Sequence, residues 1–231
     1  MFGTIDALVL SMALFVGGHF VLSAPPIRTP IVEKIGDNPF RGLYSIFALA
    51  SLVWAIMELN DAPYIELWEP RFELSLLTNI LMPFAVLFLV VGLLSHNPTS
   101  VGGDVLLDEP QPPRGIMTVT RHPFLWGTGL WSLAHVSANG DLASVIFFGG
   151  MALLSFAGMP ALDHKVRERK GAAWGPFELT TSIIPFMAVF QGRAELDLRG
   201  IGLWRIAVGL VVWVVLFGLH PILFGVSPHP V

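Results

Sequence analysis

The chain has 231 residues, of which 54% are apolar and only 13% charged, with seven histidines, no cysteine and a formal net charge of −4. That is too little charge to cover a soluble surface of this size, and a net negative chain has no general attraction to nucleic acid. The lack of cysteine excludes disulfides, thiolate metal sites and cysteine nucleophiles, so histidine is left as the main candidate for chemistry.

A membrane-crossing helix needs about 20 mostly apolar residues. In chain order, such stretches run over about 4–23, 43–59, 74–95, 119–138, 142–159 and 201–224. The first begins with no basic residue and has no clean small-residue cleavage site before Pro25, so it reads as a retained span and not a signal peptide. The fourth is interrupted by Arg121, His122 and His135, but its Phe, Leu and Trp content still suits a helix. Asn139-Gly140-Asp141 then predicts a tight turn, with Asp141 capping the fifth span. Residues 97–114 are rich in Gly and Pro and read as a mobile loop. Residues 176–190 contain Glu178, hydroxyl side chains and Pro185 and are short for a span, which predicts an interfacial or re-entrant helix. The fold class is therefore all-α: one polytopic transmembrane helix bundle of about six spans, with no separate second domain.

Loop charge orients this topology. With six spans, Arg71 is the one basic residue of the 13 that does not fall on a single side. The positive-inside rule makes that side cytoplasmic. The expected location is a bacterial inner membrane, with both termini periplasmic.

Ionisable groups within spans are costly and invite a functional reading. His19 follows Gly17-Gly18 late in the first span, His122 lies in Arg121-His122-Pro123, His135 lies near the far end of the fourth span, and His220 precedes Pro221. The bland alternative for each is a hydrogen bond to a nearby helix carbonyl. His96, His164 and His229 lie in loops or the tail, where solvation explains them. The run from Asp163 to Lys170 reads either as a juxtamembrane helix against anionic lipid or as a charged gate to a cytoplasmic pocket. No His-x-x-x-His pair exists, so a metal site must be assembled between helices, as two axial histidines around a haem would be. His122 and His135 stand about 20 Å apart along one helix and cannot share an iron. Depth favours His19 with His122, or His135 with His220.

Thr120-Arg121-His122-Pro123-Phe124-Leu125-Trp126-Gly127, Leu130-Trp131-Ser132-Leu133-Ala134-His135 and Ala138-Asn139-Gly140-Asp141 together resemble the NnrU family, which includes the 15-cis-zeta-carotene isomerases. His19, Arg41-Gly42-Leu43-Tyr44-Ser45, Thr181-Ser182-Ile183-Ile184-Pro185-Phe186, Gln191-Gly192-Arg193 and His220-Pro221 fit as well. The resemblance implies an integral membrane protein with haem b, His19 and His135 as iron ligands, and His220 as a further essential residue. It also implies redox-dependent cis–trans isomerisation of an apolar polyene, with lipid bilayer, an apolar small molecule and a redox partner as associates. The family's bacterial branch is linked to denitrification, which keeps open a non-enzymatic factor or electron carrier. A more distant similarity, through Arg121-His122-Pro123, Asp163, Lys170-Gly171 and Trp174, is to the isoprenylcysteine and phospholipid methyltransferases, which implies S-adenosylmethionine as an alternative cofactor. Asp163-His164 stands where that family carries two glutamates. The candidate cofactor contacts are Arg121, His122, Asn139, Asp141 and Asp163.

Overall fold

The structure, a computed structural model, describes residues 3–100, 102–109 and 111–229. Its helices are α1 (Ile5–Val21), α2 (Pro25–Ile35), α3 (Asp37–Asp61), α4 (Phe72–Leu93), α5 (Pro123–Asn139), α6 (Leu142–Lys170), α7 (Trp174–Thr180), α8 (Met187–Phe190), α9 (Leu198–Ile201) and α10 (Leu203–Phe224). The described residues form no strand; one isolated bridge joins Glu66 and Asp141. Thr4 caps α1 by accepting from the Ala7 N–H, and Asp141 caps α6 by accepting from Ser144. Pro25 and Pro26 cannot continue the hydrogen-bond ladder of α1, and α2 leaves at a bend of 76°.

Four helices, α3, α4, α6 and α10, are long and apolar enough to cross a membrane, and five spans result if the bent pair α1–α2 counts as one. The expected fourth span is the difference. It begins helically at Pro123, because residues Gly115–Thr118 form a 3-10 turn and His122 stands at the cap with φ −123 and ψ 54. A residue before proline is held out of the helical region. The resulting α5 has 17 residues, about 26 Å of helix against about 30 Å of hydrocarbon. The 176–190 segment also differs. It is two short helices, α7 and α8, joined by non-helical residues 181–186. Residues 97–114 are not featureless either: they include a 3-10 turn over Gly103–Leu107.

The six long helices alternate in direction. The Gly3 N–H bonds to Glu58, which sets the start of α1 beside the end of α3. A Cβ on Gly92 would meet the Phe124 N at 2.9 Å, so the end of α4 abuts the start of α5. Gly140, left-handed at φ +71, turns α5 into α6, and its carbonyl accepts from Leu67 and Trp68 at the start of α4. Arg205 reaches the Leu94 carbonyl at one end of the α4–α10 pair, and Asn79 reaches the Pro228 carbonyl at the other. One end of the bundle is basic and the other acidic, and both ends of the described chain lie at the acidic end.

Buried residues form two clusters. One, at the basic end, joins Val91, Ile116, Met117, Val166, Trp174 and Phe177. The other joins Leu8, Met12, Phe15 and Val16 of α1 to Ala55 of α3 and Ala143, Phe147 and Phe148 of α6. Leu43, Ile46 and Leu49 of α3 and Val211, Val214 and Ile222 of α10 face outward, as a lipid-facing surface requires.

Candidate functional site

His19 lies in the last turn of α1 and its Nδ1 is 2.6 Å from the Phe15 carbonyl. His135 repeats the arrangement on α5, with Nδ1 2.8 Å from the Trp131 carbonyl. His220 on α10 places Nδ1 2.9 Å from the carbonyl of Val226. A carbonyl can only accept, so Nδ1 carries the proton in all three. In a neutral imidazole the lone pair then resides on Nε2. Metal-binding histidines have this same pattern, with one ring nitrogen donating to a carbonyl and the other turned to the metal. The bland reading of these histidines is therefore correct for Nδ1 and leaves Nε2 available.

Aromatic rings set the imidazole orientations. His19 meets Phe15 edge-on at 4.6 Å and Tyr44 at 5.5 Å. His135 stacks on Phe148 at 4.8 Å and tilts against Trp131 at 5.1 Å. Phe15 and Phe148 belong to one buried cluster, against which Phe20 and Trp131 also pack. The depth objection to pairing His19 with His135 shrinks accordingly. Met12 and Val16 of α1 both lie beside Gly150 of α6; His19 is three to seven residues further on α1, and Phe148 two residues back on α6. The two imidazoles thus differ by about 8–14 Å in depth. His220 lies at the same end of the bundle as His135: Thr78 of α4 donates to the Ala134 carbonyl, and its neighbour Asn79 to the Pro228 carbonyl.

The remaining candidates separate. Arg121, His122 and Asp163 come together at the basic end. Asp163 Oδ2 accepts from Arg121 Nε at 2.8 Å and Nη2 at 2.6 Å, and Oδ1 accepts from His122 Nε2 at 2.7 Å. All three are buried, with the His122 side chain at 0% exposure. The Arg121 guanidinium lies 5.8 Å over the Trp174 ring. Nδ1 of His122 and Nε1 of Trp174 are buried without a partner. Burial alone would raise the Asp163 carboxyl, but hydrogen bonds from His122 and Arg121, with their charges, bring it below the ordinary carboxylate range. Asp163 lies on the part of α6 beyond the apolar stretch 142–159. Asn139 and Asp141 are elsewhere: Asn139 bonds to the Ser144 hydroxyl and Asp141 caps α6. Asp141 and Asp163 are twenty-two residues apart on α6, about 33 Å, so no single small cofactor touches both.

Other polar residues close the basic-end junction. The Thr120 hydroxyl and the Trp126 indole donate to the Ile183 carbonyl at 2.7 and 2.8 Å, and Thr99 donates to the Arg121 carbonyl at 2.7 Å. The first two satisfy the Ile183 carbonyl within the non-helical residues 181–186, and the third satisfies the Arg121 carbonyl. Sequence reading missed them, because no local pattern links Thr99, Thr120 and Ile183. It also left Glu58 among the acids of the opposite side, whereas Glu58 is 1% exposed and accepts from Gly3 and from Trp54 Nε1 at 2.8 Å. The Trp54–Glu58 spacing of four was the available signal. Among the described residues no group of three or more metal-ligating side chains is gathered, so no such cluster joins the histidine pairs described above.

The family described as NnrU protein matches residues 7–228. The chain is similar to the chloroplastic 15-cis-zeta-carotene isomerase of Arabidopsis thaliana, with 27% identity over 197 residues, covering 82% of this chain and 52% of that protein. It is also similar to the chloroplastic 15-cis-zeta-carotene isomerase of Zea mays, with 34% identity over 170 residues, covering 71% and 46% respectively. The chain thus spans about half the length of the curated relatives it matches. No solved structure matches it.

Proposed function

The chain belongs to the NnrU family, and from that membership we propose that it is a haem b-binding membrane isomerase acting on a cis double bond of an apolar polyene. The observation that carries the haem reading is the shared state of the histidines: His19, His135 and His220 each commit Nδ1 to a backbone carbonyl and have no Nε2 partner among the described residues. His19 and His135 would hold the iron, on α1 and α5, across the Phe15–Phe148 cluster. Haem b, when bound, supplies one-electron iron chemistry.

The protein's own residues do the rest. The carbonyls of Phe15 and Trp131 fix the imidazole tautomers and orientations. Phe15, Phe148 and Trp131 exclude water from the rings they touch. His220 adds a third imidazole at the same end of the bundle as His135, available to orient substrate. Outward apolar faces give a polyene lateral access from lipid. The basic end of the bundle faces the cytoplasm of a bacterial inner membrane in this reading, which places both chain ends in the periplasm.

The test is to express the protein in haem-replete cells, purify it and record its absorption, oxidised and reduced, then incubate it with 15-cis-zeta-carotene and separate the isomers. A Soret band with conversion to the trans form supports the proposal. A Soret band without conversion favours an electron carrier or a factor for nitrogen-oxide respiration. No Soret band removes the haem reading.

A further inference from the structure

Four basic residues lie on the last part of α6. Arg167 pairs with Glu178, Arg169 with Asp104 and Lys170 with Asp108. Lys165 has no carboxylate partner among the described residues, although its residue is partly buried. Its ammonium instead donates to the hydroxyl of Ser23, which in turn donates to the His19 carbonyl. Of the other cations that follow α1, Arg28 and Arg41 share Asp37, and Lys34 is exposed on α2.

This chain of contacts fixes the depth of the charge. Ser23 is four residues beyond His19, so the ammonium lies about 6 Å from His19 toward the basic face. A partly buried cation without a counter-charge is costly next to an apolar interior. Its position is on the water-facing side of a proposed iron ligand, where the acid groups of an amphipathic macrocycle would emerge.

We propose that Lys165, held by Ser23, forms the anion site for a propionate carboxylate of haem b ligated by His19. The inference rests on the haem reading above and adds an anchoring residue to it. Lys165 holds the group's polar edge, and the histidines hold its iron. Ser23 ties the anchor on α6 to the ligand helix α1, so the carboxylate fixes the position of one helix relative to the other. A phospholipid phosphate offers the same negative charge, and the test separates the two sources.

Detergent-purified full chain, stripped of haem, is titrated with haem b and with haem b dimethyl ester, whose propionates are uncharged, and Soret absorbance is followed. The wild type should bind haem b about tenfold more tightly than the ester, the scale of one hydrogen bond to a charged group. Lys165→Met should erase that preference by weakening haem b alone, and Lys165→Arg should keep it. Equal weakening of both ligands by Lys165→Met would show a packing role and overturn the proposal. An unchanged preference would overturn it too, and loss of co-purifying phosphatidylglycerol in that variant would assign the site to lipid. If the wild type produces no saturable Soret shift with either ligand, the haem reading itself fails and the anchor falls with it.

Discussion

Two regions of the bundle use histidine differently. At the basic end, His122 spends Nε2 on Asp163, and Asp163 spends both oxygens on His122 and Arg121. The group is buried, fastens the entrance of α5 to α6, and encloses a His122 Nδ1 that has no partner among the described residues. Around the Phe15–Phe148 cluster, His19 and His135 spend only Nδ1, on their own helices. Those rings are held in place while one nitrogen stays unpaired. Each histidine thus commits one nitrogen: that of His122 goes to a carboxylate on another helix while its Nδ1 is sealed in the interior, whereas His19 and His135 bond only to carbonyls of their own helices.

This contrast can be broken most sharply with the histidines themselves. Replacing His135 or His19 with Ala should abolish or shift the Soret band while leaving the protein folded, since each removes only one bond to a carbonyl of its own helix. Absorption spectra with circular dichroism check this. Asp163→Asn should do the reverse, leaving haem per folded protein unchanged and lowering stability by about 3–5 kcal/mol, the cost of stranding one member of a buried ion pair; thermal unfolding in detergent reads it. Because the Asp163 carboxyl is held below its ordinary value, its contribution is present above the unfolded-state pKa and is lost as pH falls through the folded one. Wild type should therefore lose stability steeply below about pH 4, and Asp163→Asn should not.

Two smaller effects test the frame on which both regions depend. A Cβ on Gly127 would come within 2.6 Å of the Leu89 backbone N and 2.8 Å of the Ala85 carbonyl. Gly127→Ala should therefore force α4 and α5 apart at a cost of about 1–3 kcal/mol, with a lower melting temperature. Asp141→Ala removes the α6 cap and should cost about 1 kcal/mol, by the same measurement, without altering the absorption spectrum.

Much of the fold was legible because lipid demands long apolar runs with unbroken hydrogen bonding. The spans, the Asn139–Asp141 turn and the Asp141 cap all follow from that local grammar. The start of α5 was not legible, because Pro123 fixes only that His122 is non-helical, and the burial of residues 115–122 comes from tertiary contacts with residues 181–186. The site was half legible. Histidine in an apolar run singled out His19 and His135, but depth estimated from span ends overstated their separation, since sequence cannot say how far along α6 the helix α1 packs. The Lys165–Ser23 contact, 142 residues apart in sequence, leaves no trace in either local pattern.

The central claim is that His19 and His135 present free Nε2 atoms to one iron. Its most direct test is low-temperature electron paramagnetic resonance on purified oxidised protein, wild type against His19→Ala and His135→Ala. Ligation by both predicts a low-spin ferric signal in the wild type that either substitution converts to high spin or removes. An unchanged low-spin signal in either variant would contradict it.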